Sequence, residues 1–190
     1  MRIEVREARP EDLPGVVGLW EQMIEHHTRL SHHFTLSRDG VRRFSKYLAS
    51  KYSERSTKLL VATQDGRLVG FMLCLLSPNA PVFKERTLGV VSDVYVAPEL
   101  RKRGVAREML KVALRWFKKN RVATVQLNVA AANLEARAAW GQLGFKPHMM
   151  MKRLELDKFP ATKMLSEEPK VVRKKVVKKK RLSGLRRKAA

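Results

Sequence analysis

The sequence predicts an α/β domain built around a mixed sheet and followed by a basic tail. Three observations point there. Apolar residues recur at strand spacing in six short runs and at helix spacing in four others, in the order β-α-α-β-β-β-α-β-α-β. A turn rich in arginine and glycine sits between the fourth of those strands and the helix after it. From residue 158 onward, prolines and dense Lys/Arg replace the periodic pattern, and such a stretch cannot bury enough surface to fold alone.

Residues 2–8 (RIEVREA) alternate as a strand. Pro10, Glu11 and Asp12 supply a helix start with early acids, and Leu13, Val16, Val17, Trp20, Met23 and Ile24 follow on one face. A second helix is expected over 38–51, carrying Val41, Phe44 and Leu48. Runs 58–63 and 68–76 read as strands, and Gln64-Asp65-Gly66 between them is a hairpin turn. Residues 77–87 hold two prolines and read as a loop; 88–96 form a strand closed by Ala97-Pro98. The helix over 105–118 buries Val105, Met109, Val112, Ala113 and Trp116 and turns Arg107, Lys111, Arg115 and Lys118 to water. Residues 124–129 form another strand. Asn133 caps a helix bearing Ala136, Ala139, Trp140 and Leu143, Gly144 ends it, and a last strand is expected over 145–156, with Met149, Met150 and Met151 in strand and loop packing.

With 190 residues and 44% apolar content, the chain supports one good core. The organisation expected is a folded domain over 1–157 and a disordered Lys/Arg-rich tail over 158–190. No apolar run approaches the ~20 residues that span a bilayer, and the N-terminus has no apolar segment of the secretory kind. The single cysteine, Cys74, excludes an intramolecular disulfide and reads as a small buried hydrophobe. A cytoplasmic protein is the expectation. The net charge is +22; residues 169–190 carry 11 basic and no acidic residues, and the remaining 29 basic and 18 acidic residues leave +11 on 1–168. Both parts attract anions.

The chemistry-bearing segment is Arg101-Lys102-Arg103-Gly104-Val105-Ala106, at the strand-to-helix turn. Backbone N–H groups at a helix start are unsatisfied and lie at the positive end of its dipole. A glycine lets an anion approach the main chain, and the arginines add charge, so the turn reads as a phosphate or pyrophosphate cradle. A nucleoside-triphosphate loop would need Gly-Lys-Ser/Thr, and a dinucleotide fingerprint three spaced glycines; neither is present.

The pattern R-x-x-G-x-A (Arg101, Gly104, Ala106), with N-x-x-A-x-x-x-W-x-x-x-G-F downstream (Asn133, Ala136, Trp140, Gly144, Phe145), resembles the GNAT superfamily of acetyl-coenzyme-A-dependent N-acetyltransferases. The resemblance covers 2–156 and not the tail. It implies a three-layer α/β fold with a mixed, mostly antiparallel sheet splayed at its centre, and acetyl-CoA as co-substrate. The main chain of Val94, Tyr95 and Val96 would pair with the pantetheine arm. Arg101, Lys102, Arg103, Gly104, Val105 and Ala106 would wrap the pyrophosphate, and Asn133 and Trp140 would reach the cofactor.

An acceptor amine attacking the thioester needs a base, oxyanion donors and a proton for the thiolate. Asp93 is the candidate base: it interrupts an apolar run, shares a strand face with Val91 and Tyr95, and burial would raise its pKa. The backbone N–H of Val94 is the candidate oxyanion donor by analogy with the family. Many family members carry a tyrosine acid where Trp140 stands; an indole N–H does not titrate near neutral pH. Protonation then falls to water, Tyr95 or the departing ammonium.

His26, His27, His32 and His33 lack accompanying cysteine or acidic ligand spacing, so no metal is expected and a solvated or acceptor-contacting role is read instead. The expected function is acetyl transfer to a primary amine of a small molecule or a protein. The alternative is a nucleic-acid- or chromatin-associated binding protein with a weak or inactive acyltransferase fold, contacting phosphates non-specifically through 170–188. Dimers are common in the family, so a homodimer is among the expectations.

Overall fold

The computed structural model describes residues 3–156. Its sheet takes the strands in chain order: β1 (Ile3–Glu7), β2 (Thr57–Gln64), β3 (Arg67–Pro78), β4 (Thr87–Val96) and β5 (Val125–Leu127). The first three pairings are antiparallel and β4–β5 is parallel. Helices α1 (Leu13–Leu30) and α2 (Gly40–Tyr52) lie on one face, where Val16, Trp20, Met23, Phe44 and Leu48 form a core with Val61, Phe71, Leu73 and Tyr95. Helix α3 (Val105–Lys119) covers the other face through Met109, Ala113 and Phe117, packed with Leu60, Met72, Cys74 and Val91. Trp140 and Leu143, of α4 (Leu134–Gln142) and its C-cap, join that second core. The sequence-predicted three-layer α/β arrangement is therefore the one observed.

Local chemistry explains the joints. The β2–β3 turn places Asp65 at φ 49° and Gly66 at φ 81°, the mirror-image turn whose twist matches two antiparallel strands. Residues Pro10–Asp12 form a 3-10 turn leading into α1. The Asp12 side chain accepts two bonds from Arg6, at 2.6 and 3.0 Å, and one from the Arg9 N–H at 2.7 Å. Across the sheet, a Cβ on Gly89 would come within 2.8 Å of the Phe117 ring, so the missing side chain is what lets α3 sit down on β4. Cys74 is fully buried, and burial pushes its thiol up to about 12.

Three expectations require correction or relocation. Residues 145–155 form no strand: Pro147 has no N–H to give a ladder, and the methionine run 149–151 would set apolar side chains on both faces of a strand instead of on one. Met149, Met150 and Met151 are accordingly exposed, at 88, 81 and 77%. The strand expected over 124–129 contracts to Val125–Leu127, because β4 pairs with it only there. The basic tail read as disordered and nucleic-acid-binding lies outside the described residues. The chain divides after Lys146 into a unit that contains every strand and helix named above, and a second unit beginning at Pro147. Among the described residues, no helix is long and apolar enough to cross a membrane.

Candidate active site

The site begins with a fault in β4. Leu73 pairs with Asp93 and Cys74 with Val91, so Ser92 has no partner across the ladder. Such a bulge inserts one residue and reverses the alternation beyond it. Val91 therefore belongs to the core under α3, while Asp93 meets Trp20 and His27 of α1, and Tyr95 joins the α1 core. The expectation that Asp93 shares a face with Val91 is corrected; it shares one with Tyr95 alone. The same fault coincides with the end of the parallel pairing, since β5 accompanies β4 only from Gly89 to Val91. Past Val91 the two strands part, and the β5-side edge of Val94, Tyr95 and Val96 has no strand partner among the described residues.

Asp93 is half-buried, and burial pushes its carboxyl above the ordinary carboxylate range. That rise is opposed by the Ser92 hydroxyl, which donates at 2.6 Å, by the Trp20 indole N–H and by the nearby His27. No Arg or Lys is among the groups that shift it. Trp20 is held flat against Phe44, with ring centroids 3.8 Å apart and planes 5° from parallel. His27 is lowered, first by burial and then by His26, against the pull of Asp93. Tyr95 is 6% exposed; burial raises its hydroxyl pKa, and that hydroxyl donates to Gln22 Oε1 at 2.9 Å.

The turn after β4 is the second component. A short 3-10 turn, Pro98–Leu100, leads into Arg101, whose Nε–H donates to the Val96 carbonyl at 3.2 Å and whose guanidinium lies 5.9 Å from the Tyr95 ring centroid. Lys102 and Gly104 are both left-handed, with φ 61° and 84°, and Gly104 is the N-cap of α3. A Cβ at Gly104 would meet nothing within 4 Å, so glycine is favoured there by φ and the space beside it is open. With no side chain at the cap, the N–H groups of the first turn, Val105 and Ala106 included, remain available to an anion. Arg103 is exposed beside them.

Helix α4 closes on this turn from the other side. Asn133 Oδ1 accepts from the Ala136 N–H at 3.0 Å, the cap expected of it. Glu135, in the first turn of α4, lies 3.9 Å from Arg101 and 3.8 Å from Lys102. Trp140 is half-buried and meets Phe145 edge-to-face at 5.4 Å.

Residues 20–145 match the Acetyltransferase (GNAT) family. The chain belongs to that family. GNAT membership makes it an acyltransferase, and the comparisons agree with the fold. The chain is 27% identical, over 135 residues, to an uncharacterized N-acetyltransferase of Archaeoglobus fulgidus, covering 71% of this chain and 87% of that one. It superposes with TM-score 0.70 on a tetramutant of the BH1408 protein of Bacillus halodurans, at 21% identity, covering 80% of this chain and 99% of the other. A predicted acetyltransferase of Clostridium acetobutylicum, solved with acetyl-CoA, superposes with TM-score 0.69 at 16% identity, over 84% of this chain and 99% of that one.

Within this GNAT fold, the sequence-named residues fall into two groups. Asp93, Val94, Tyr95 and Val96 lie on β4 at and beyond the bulge, and residues 101–106 on the turn that follows it. Asn133 and Trp140 lie at opposite ends of α4. Sequence reasoning missed Trp20, Gln22 and the bulge itself, and read His27 only as one of four histidines. A signal for two of them was present: Val16, Trp20, Met23 and His27 fall on one face of α1, so an indole and an imidazole are carried inward with its apolar stripe.

Proposed function

We propose that this protein transfers an acetyl group from acetyl-CoA to a primary amine by direct attack. The observation that carries the reading is the coincidence of the β4 bulge, the parting of β4 from β5 after Val91, and the open anion cradle five residues past the strand. The residues fit such a co-substrate: the open space at Gly104 and the free first-turn N–H groups suit a pyrophosphate, with Arg101, Lys102 and Arg103 supplying charge. Val94, Tyr95 and Val96 offer main-chain groups for the pantetheine amides, and Asn133 and Trp140 flank it from α4.

Asp93 removes one proton from the acceptor ammonium; a carboxyl raised by burial is a better base than an ordinary one. The freed amine adds to the thioester carbonyl, and the Val94 N–H stabilises the oxyanion. Collapse breaks the carbon–sulfur bond, and the second proton of the attacking nitrogen passes to the departing thiolate. That route needs no titrating group at Trp140, and it leaves the Tyr95 hydroxyl on Gln22. The acceptor comes from the α1 side, where Asp93 points.

The test is acetyl-CoA binding by calorimetry, with thiol release across amine classes as the activity assay. Gly104→Asp places a negative side chain in the cradle and forces an unfavourable φ; a loss of affinity of about tenfold or more is expected. Equal affinity in the variant and the wild type would overturn the cradle.

A further inference from the structure

The end of the sheet where β3 turns into β4 carries an apolar tip on a tightly bonded loop. Residues 79–86 make that connection and are pinned along their length. The Asn79 N–H donates to the Arg86 carbonyl at 2.9 Å, and its side-chain amide donates to the Glu85 carbonyl at 3.0 Å. Asn79 Oδ1 accepts from the Ala80 N–H, and the Arg86 guanidinium donates to the Pro81 carbonyl. At the tip, the Phe83 N–H closes a turn on the Ala80 carbonyl at 3.1 Å. A loop tied in this way has little freedom to tuck its side chains inward. Val82 is 83% exposed and Phe83 57%. Two adjacent apolar side chains are thus held out in water, which is unfavourable unless something covers them.

Cations surround that tip. The last turn of α3 and its connection to β5 lie at the same end of the sheet. The Gly89 N–H donates to the Thr124 carbonyl at 2.9 Å, and the Thr124 hydroxyl donates to Glu85 Oε1 at 2.9 Å. Across 79–87 and 118–124 the chain has five basic residues, Lys84, Arg86, Lys118, Lys119 and Arg121, and one acid, Glu85. All five basic residues are exposed. From this end β4 runs for 10 residues, roughly 30 Å, before the turn at 101–106. A partner seated on the tip therefore leaves the anion cradle open to solution.

We propose that loop 79–86 seats the protein on an anionic lipid surface: Val82 and Phe83 enter the acyl boundary, and the five cations meet headgroup phosphates. This does not depend on the acetyl-transfer reading. A lipid surface takes both halves of the chemistry. Its hydrocarbon margin accepts the two side chains without a matching pocket, and its negative potential attracts each nearby cation. Either contribution alone gives marginal, reversible attachment, whereas the two together hold. A nucleic acid offers the phosphates but gains nothing from Val82, which has no hydrogen-bonding group and no flat face for a base. For a protein partner, a two-residue tip is far short of the area that a stable interface buries.

The full chain is tested on vesicles of phosphatidylcholine, alone or in equal parts with phosphatidylglycerol. Val82→Cys is labelled with an environment-sensitive fluorophore. Cys74 is fully buried with its thiol pushed up to about 12, so the label goes to position 82. On the mixed vesicles the emission is expected to shift to the blue and to be quenched by lipids brominated on their acyl chains; on phosphatidylcholine alone both effects are weak. In a sedimentation assay, Val82→Asp/Phe83→Asp, with an unfolding midpoint like the wild type, is expected to lose about tenfold or more in partitioning to the mixed vesicles. Unchanged partitioning, or a label that stays in water while the vesicles capture the protein, assigns the attachment to other cations and overturns the role of the loop. An equal blue shift on duplex DNA overturns it in favour of nucleic acid. Wild-type protein that ignores the mixed vesicles ends the proposal outright. The label decides the matter even if the double variant does not fold.

Discussion

Asp12 and Asp93 are both drawn out of bulk water beside the same helix, yet their surroundings drive their carboxyls in opposite directions. Asp12 is 8% exposed just before α1, and it receives a two-pronged bond from the Arg6 guanidinium and a third from the Arg9 N–H. The Arg6 bonds hold its carboxyl below the ordinary range, more than offsetting the desolvation that would raise it. Asp93 receives only neutral donors, Ser92 and Trp20, with an imidazole nearby that is itself lowered, and desolvation prevails. A buried carboxylate given a matched cation is committed to structure. One that is given none holds its proton more tightly than an ordinary carboxyl, at a cost to the fold.

The comparison is broken most severely at Asp93. Asp93→Asn keeps the shape and removes the carboxylate proposed as base; kcat should fall by about 10²–10³-fold with acetyl-CoA affinity within about twofold, read by thiol release and calorimetry. The same variant should melt at a higher temperature than wild type at pH 7. A carboxyl raised in the folded state contributes stability only below its unfolded value of about 4, and that stability is lost as pH rises toward the raised folded value. The amide that replaces it has no charge to desolvate. A variant that is both inactive and less stable at pH 7 would place Asp93 with Asp12, as a structural group.

At the other aspartate the signs reverse. Arg6→Ala strands the Asp12 carboxylate and should cost about 2–3 kcal/mol in urea unfolding at pH 7, with turnover per folded molecule unchanged. Because the folded Asp12 value is depressed, its contribution is present above about pH 4 and fades as pH falls through the folded value. The gap between variant and wild type should therefore narrow on acidification, and a gap independent of pH would contradict the ion-pair account.

The smallest change sharpens the contrast. Trp20→Phe retains an aromatic ring to stack on Phe44 but withdraws the indole N–H that favours the Asp93 carboxylate. The acidic limb of kcat/KM should move to higher pH, with a loss of roughly threefold to tenfold at neutral pH. An unmoved limb would mean that the Trp20 donor does not tune Asp93 as the proposed base.

Much of this was legible before any coordinates, for reasons that differ from residue to residue. Asp65-Gly66 and Gly104 announced themselves because a left-handed φ is a property of one or two residues, and glycine adopts it freely. The stripes of α1 and α3 announced themselves because helix period fixes which side chains share a face. Asn133 was readable as a cap for the same local reason. Asp12 was readable only as an early acid in a helix; nothing nearby in sequence says that Arg6 will fold back on it, because that pairing depends on where β1 ends and α1 begins. The strand expected over 145–156 failed because Pro147 withholds a ladder N–H and the methionine run 149–151 carries no apolar/polar alternation.

By itself, then, the sequence determined the order of elements through α4, the glycine turn at 101–106 that opens α3 and the acetyltransferase family, since all three rest on short-range backbone preference and residue spacing. Tertiary structure alone decided what Asp93 is. The bulge at Ser92 turns it away from Val91 and toward α1, the register with β3 sets that bulge, and only the packed helix supplies Trp20 and His27 as its neighbours. The physical reason is that a carboxyl's proton affinity is set by desolvation and by the charges within a few ångströms, and those come from residues about 70 positions away that only folding brings near.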